Sequence, residues 1–384
     1  MSELPTVEEL LATAVAALGG SQRPGQVQMA RAVAQAFAAG EHLAVQAGTG
    51  TGKSLAYLVP AIAHAVSDEA PVVVSTATIA LQRQLVDRDL PRLVDAVADS
   101  LPRRPTFALL KGRRNYLCLN KIHGGPSDEQ PPQEELFGQL GPDGVSLLPA
   151  GAVSAMGRDI ERITEWASQT ETGDRDDLRP GVPERSWSQV SVSARECLGA
   201  TRCPHGVDCF AEKARAQATE ADIVVTNHAL LAIDAIAEAA VLPEHACLVI
   251  DEAHELADRV TSVATGELAA GPLGVTVRRA ARLVEPELAQ RLEASVASLA
   301  SAILDGQPGR IDYLDAELGT YLTALRDAAA GARAAIDPKP ADPQAAAARL
   351  ESIAALTEIT DTAARILDSY GPAIPDRTDV VWLD

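Results

Sequence analysis

Two short stretches hold residue types suited to phosphate chemistry. In "QAGTGTGKS", residues 46–54, small residues let successive backbone N–H groups point at phosphate oxygens where a helix is expected to begin. Gly48, Thr49, Gly50, Thr51 and Gly52 form the cradle, Lys53 places its charge on the β and γ phosphates, and Ser54 offers a hydroxyl to Mg2+. Ala47 stands where the usual pattern has its first glycine. In "LVIDEAHELADRV", residues 248–260, three apolar residues run into Asp251, Glu252 and His254. Alone, such an acidic pair suits a solvated turn equally well. Beside a phosphate loop, Asp251 is expected to hold the Mg2+ of a nucleoside triphosphate, and Glu252 to take a proton from the attacking water. His254 is expected to couple this site to whatever the enzyme moves.

A second constellation is made of thiols. Cys118 stands alone, and after 78 intervening residues "CLGATRCPHGVDC" supplies Cys197, Cys203 and Cys209, with five residues between neighbours. Zinc knuckles use tighter C-x2-C pairs, so this open spacing favours a four-cysteine iron–sulfur cubane over zinc, for which His205 offers an alternative set of three cysteines and one histidine. Unrelated buried thiols are the third reading. Cys247, on the strand before Asp251, reads as core. Between Leu101 and Lys121 six cations (Arg103, Arg104, Lys111, Arg113, Arg114 and Lys121) occur with no acid among them. They form either a phosphate track, with Tyr116 stacking on a base, or a solvated face. The net charge of −20 argues against a polyanion partner unless cations cluster locally in this way.

These residues need elements to position them. Thr6 and Glu9 suggest a capping box for a first helix, and a second follows "RPGQ". "HLAVQ" reads as a strand entering the phosphate loop, "LAYLVPAIAHAV" as the helix leaving it, "PVVVSTAT" as a strand, "IALQRQLVDRDL" as a helix, and "TFALL", "ADIVV" and "ACLVI" as further strands. Short apolar strands alternating with helices predict an α/β fold with a parallel sheet. Regular patterning fails over residues 111–210 and returns as helical spacing in "ELAQRLEASVASLASAIL" and "RLESIAALTEITDTAARIL", with "DPKPADPQ" as a linker between them. The 384 residues suit two or three domains. The acidic N-terminus makes a poor signal peptide, the longest apolar run is short and broken by Pro60 and His64, and five cysteines make no disulfide framework. A cytoplasmic protein with no membrane partner is expected.

"AGTGTGKS", "STATIALQRQL", "ADIVVTNHALL" and "VIDEAH", in this order, resemble superfamily 2 helicases of the DinG/XPD type. The resemblance implies a RecA-like P-loop motor domain 1 over residues 1–110 and 211–262, a 4Fe–4S cluster insertion over 111–210 held by Cys118, Cys197, Cys203 and Cys209, a helical arch over 263–375, and the start of a return to the motor domain over 376–384. It further implies that Gln26 reads adenine and that Ser75, Thr76 and Gln82 line a DNA path, with Lys111, Arg113, Arg114 and Tyr116 beside the cluster. Asn227 and His228 also match a family motif. The implied activity is ATP-dependent unwinding of DNA, 5′ to 3′ from single-stranded DNA or a 5′ overhang, in repair or replication. The resemblance covers an N-terminal half, so the second RecA-like domain is expected from the same gene or a separate chain. Two other readings stand: a non-catalytic nucleic-acid-binding or regulatory module, and an RNA helicase of DEAH type.

Overall fold

The computed structural model describes residues 5–48, 50–68, 70–123, 155–236, 241–337 and 343–384. Two units are compact in themselves: residues 1–117, 169–181 and 208–264 form one, and residues 118–168, 182–207 and 265–384 the other.

The first unit is built on four parallel strands, β1 (Val72–Thr76), β2 (Phe107–Leu109), β3 (Ile223–Asn227) and β4 (Cys247–Ile250), in the order β2-β3-β1-β4. Their runs of valine and isoleucine suit a sheet covered on both faces, where alternation with polar residues is not required. Val72, Val74, Ile223 and Val225 face a core shared with α1 (Val7–Ala17), α2 (Pro24–Ala39) and α3 (Lys53–Asp68). Val73 and Val224 face the opposite way, onto Ala108, Leu110, Leu230 and Leu242. The two-residue period of a strand thus divides one apolar run between two cores.

Local signals hold at the first helices. Thr6 and Glu9 close the capping box of α1, and Pro24 opens α2, where its missing N–H costs nothing. The stretch expected as one helix after β1 is broken into α4 (Ile79–Arg83), a π-helical turn over Gln84–Asp89, and α5 (Leu90–Val97). Pro91 has no N–H to continue an α-helical ladder, and its ring crowds the preceding turn; Leu90 N–H instead reaches back to the Leu85 carbonyl. The strand expected at "HLAVQ" does not form. Residues 42–46 pair with no strand among the described residues, and Leu43 and Val45 are each 45% exposed. A strand-like sequence becomes a strand only when a neighbour takes up its backbone hydrogen bonds.

Part of the irregular region belongs to this sheet unit. Lys111, just after β2, pairs with Asp174 and Asp176, Leu117 N–H donates to the Gly173 carbonyl, and Arg83 pairs with Asp177. In the second unit the helices Ala270–Ala281, Pro286–Asp305, Ala316–Ala335 and Pro343–Asp368 share a core of Leu273, Leu292, Leu299, Leu325, Leu356 and their neighbours. Most of the expected linker, residues 338–342, lies outside the described residues. The tail, expected to begin a return to the motor domain, instead pairs Trp382–Leu383 with Gly309–Arg310 within this helical unit.

Gly173 has φ +60, and a Cβ there would come within 2.3 Å of the Phe210 ring. Gly173→Ala is expected to lower stability by about 1–3 kcal/mol, from a left-handed backbone and a displaced aromatic ring together. Chemical denaturation measures it, and an unchanged midpoint would show that Phe210 yields freely.

Candidate nucleotide site

The site lies where the apolar runs end. Gly50 and Gly52 adopt φ 76° and 82°, and α3 starts immediately at Lys53, so the loop turns sharply into a helix N-terminus. Thr51 Oγ1 donates to the Gly48 carbonyl at 2.8 Å; Thr49 lies outside the described residues. Gln26 is buried, and its Nε2 donates to the Gly52 carbonyl at 3.2 Å. A Cβ on Gly52 would meet that amide at 2.2 Å and turn the Gln26 side chain away, while the positive φ is what favours glycine here. Gln26, expected to read a base, braces the phosphate loop.

The two acids lie beside the loop. Asp251 N–H donates to the Ser75 carbonyl at 2.9 Å, which extends the β1–β4 ladder by one step. Glu252 follows at φ 53° and ψ 46°, with the one positive φ borne by a non-glycine among the described residues. This turn brings its Oε1 to 2.8 Å from Lys53 Nζ. The Lys53 hydrogen bond holds the Glu252 carboxyl below the usual carboxylate range, and the same bond raises the Lys53 ammonium. His254 is 71% exposed, with Nδ1 at 3.6 Å from Glu252 Oε2 and Nε2 at 3.5 Å from Glu255.

Tyr57 was not legible as a site residue. Its hydroxyl donates to Asp251 Oδ2 at 3.1 Å and also lies against Ser54, so it bridges the two residues expected at Mg2+. Burial pushes its phenol well above the ordinary tyrosine value, which keeps it a donor. The available signal was its position four residues after Lys53, on the same helix face.

Several residues expected at DNA are buried. Ser75, Thr76 and Gln82 have no exposed surface. Ser75 Oγ lies 2.7 Å from His228 Nδ1, and both amide atoms of Gln82 lack hydrogen-bond partners among the described residues. None of the three side chains can meet a strand in this conformation. Lys111 is equally enclosed, its Nζ 2.5 Å from Asp174 and 2.6 Å from Asp176. Tyr116 is buried, with its hydroxyl accepting from Lys111 N–H at 3.2 Å, so it offers no face to a base. Arg113 pairs with Glu212, Arg103 with Asp222, and Arg104 with Asp95. A run without acids in sequence has gained them in space.

Comparison with known proteins then decides the family. A DEAD/DEAH box helicase family profile matches residues 24–96. The ATP-dependent helicase DinG of Mycobacterium tuberculosis is 66% identical over 383 residues, which is 99% of this chain and 56% of that protein. This chain belongs to the DinG-like superfamily 2 helicases. The ATP-dependent DNA helicase YoaA of Escherichia coli is 38% identical over 245 residues, 62% of this chain and 34% of that protein. A solved XPD helicase aligns at TM-score 0.45 with 14% identity, over 90% of this chain and 51% of that one. The chain spans about half the length of the DinG relative.

In this DinG-like chain the thiols fall in both units. Cys118, Cys197 and Cys203 lie in the helical unit, where the last two are near enough for their charges to bear on the first. Burial raises the Cys118 thiol, while backbone N–H groups of Lys121 and Asn120 oppose it. Gly199 N–H donates to Cys197 Sγ at 3.3 Å, and His123 and His205 stack with centroids 5.1 Å apart. Cys209 is in the sheet unit, at the start of the helix Phe210–Thr219. Among the described residues no group of three or more His, Cys, Asp or Glu is close enough to hold a metal ion. The N–H···S contacts suit thiolate ligands, although the described thiols do not form a ligand set.

Lys111→Ala separates structure from binding. It would leave Asp174, whose carboxyl burial already raises, without its buried cation. A loss of about 3–5 kcal/mol in stability is expected, the scale of breaking a buried pair. Weakened DNA binding at unchanged denaturation midpoint would instead make Lys111 a phosphate contact.

Proposed function

We propose that this chain carries the ATP-binding motor domain 1 of an ATP-dependent DNA helicase of DinG type. The single observation that carries the reading is the convergence of Lys53, Glu252, Asp251 and Ser54 around one phosphate loop, with Tyr57 between the last two.

The geometry gives each residue a task. The loop amides and the α3 N-terminus receive the phosphates, and Gln26 keeps the loop closed from behind. Lys53, now paired with Glu252, exchanges that carboxylate for the more highly charged β and γ phosphates. Glu252 is thereby released from the bond that holds its carboxyl low, and regains the basicity needed to accept a proton from water. Ser54 and Asp251 would hold Mg2+, which neutralises charge developing on the phosphates. Tyr57 keeps the Asp251 carboxylate turned toward Ser54. His254, exposed beside Glu252, is suited to report the state of the site outward.

The wider assignment follows the relatives. The substrate is single-stranded DNA or DNA with a 5′ overhang, moved 5′ to 3′, in repair or replication in the cytoplasm. A second RecA-like domain, from the same gene or a separate chain, closes the cleft and supplies an arginine finger. Residues 111–210 form a cluster insertion and 263–375 an arch. Cys118, Cys197, Cys203 and Cys209 would hold a 4Fe–4S cluster, which requires Cys209 to join the three thiols of the helical unit. Among the described residues no helix is long and apolar enough to cross a membrane.

Two measurements test this. With the second motor domain present, Glu252→Gln should bind ATP with Mg2+ yet hydrolyse it at least ~100-fold more slowly, the scale of losing a general base. Undiminished turnover would reject Glu252 as the base. Protein purified without oxygen should be brown with about four irons, as a cubane held by four thiolates requires, and Cys203→Ser should lose the colour. A colourless protein with one zinc would replace the cluster by a zinc site.

A further inference from the structure

The ends of β1, β3 and β4 lie side by side, with Ser75 in register with Thr226 and with Ile250. His228, the first residue after β3, has no exposed surface. Its Nδ1 is held by Ser75 Oγ at 2.7 Å, and Asn227 Oδ1 accepts from Leu230 N–H at 2.8 Å, so its helix start is fixed too. The backbone of Asp251 and Glu252 already interacts with the ring, in the sense that favours its protonated form, while Nε2 makes no hydrogen bond of full geometry among the described residues. A buried ring nitrogen without a full hydrogen bond is destabilising. It is left so beside the turn that must change.

That turn is held in an unusual backbone conformation while Glu252 is engaged with Lys53. When phosphates draw Lys53 away, Glu252 loses its partner and the turn is free to settle. We propose that His228 is a positioning residue for Glu252: with its ring anchored by Ser75, its Nε2 tightens its present approach to the backbone of the Asp251–Glu252 turn into a full hydrogen bond once nucleotide is bound, and so fixes where the Glu252 carboxylate stands. The role rests on the reading of Glu252 as the base. It gives the buried Ser75 a purpose that does not require DNA to touch it. Because β1 and β3 both end here, any movement of either strand end would be felt at the base.

Two side chains of different reach separate positioning from packing. Glutamine places an amide near the Nε2 position of histidine, asparagine near the Nδ1 position. In protein carrying both motor domains, His228→Asn is expected to lower kcat for ATP hydrolysis by ~10- to 100-fold, the scale of misplacing a catalytic group by about an ångström. KM for ATP should change little, and His228→Gln should recover most of the loss. Ser75→Ala, which frees the ring without removing it, should fall between them. Equal losses in the asparagine and glutamine variants, or a loss confined to KM, would overturn the proposal.

A readout without turnover guards against variants that fail to fold. In unmodified residues 1–384 with 15N-labelled histidine, the His228 Nε2 resonance should shift on adding Mg2+ and a non-hydrolysable ATP analogue. A resonance unmoved at saturating nucleotide, or no nucleotide binding at all, would overturn the proposal. A shifted resonance together with unimpaired Glu252→Gln turnover would retain the hydrogen bond and remove the reading of Glu252 as base, so the two failures are distinguishable.

Discussion

Parallel pairing of β3, β1 and β4 places the acidic half of the candidate nucleotide site. Parallel strands start and end together on the same edge, so their C-terminal ends form one line. Ser75, Thr226 and Ile250 share that line, although long stretches of chain separate them. Valine and isoleucine fill the strands because both faces are covered by helices or loops, which leaves no room for charge along their length. Polar side chains are tolerated where the runs stop. Asp251, Glu252, His228 and Ser75 therefore gather at the carboxyl edge of the sheet, where open α/β sheets hold their ligands.

At that edge electrostatics chooses the resting partners. Lys53 projects from a helix N-terminus and takes the nearest anion, the Glu252 carboxylate. Both side chains keep some solvent exposure, so the pair is a modest interaction and readily exchanged. The left-handed backbone at Glu252 is the less common feature, since a non-glycine residue there is strained. The acidic turn thus combines a strained backbone, a buried ring nitrogen without a full hydrogen bond among the described residues, and an exchangeable ion pair. Tyr57 contributes the opposite quality. Its buried hydroxyl fixes Asp251 in place.

The same physics reshapes the basic stripe. Lys111, Arg113, Arg103 and Arg104 each find a carboxylate distant in sequence or across a turn. In a chain of net charge −20, acids are plentiful, and a cation enclosed in a protein is costly unless one stands beside it. Lys111 thereby becomes a clasp that ties residues 174–176 to the end of β2.

The sequence by itself determined the phosphate loop, the acidic turn, the α/β class of the first unit and the helical character of the second, because each is a local pattern. Glycines at Gly50 and Gly52 permit a turn, an apolar run makes a buried strand, and helical spacing makes a packed helix, all within a few residues. What only the tertiary structure decided depends on partners far away in the chain. It left "HLAVQ" without a strand to pair with among the described residues, buried Ser75, Gln82 and Tyr116, paired four cations of the basic stripe with carboxylates, and set Tyr57 and His228 against the acids. It also placed Cys209 in a different unit from Cys118, Cys197 and Cys203. Propensity and motif spacing act through the backbone of one segment, whereas exposure, pairing and the satisfaction of a buried nitrogen are properties of what packs against it.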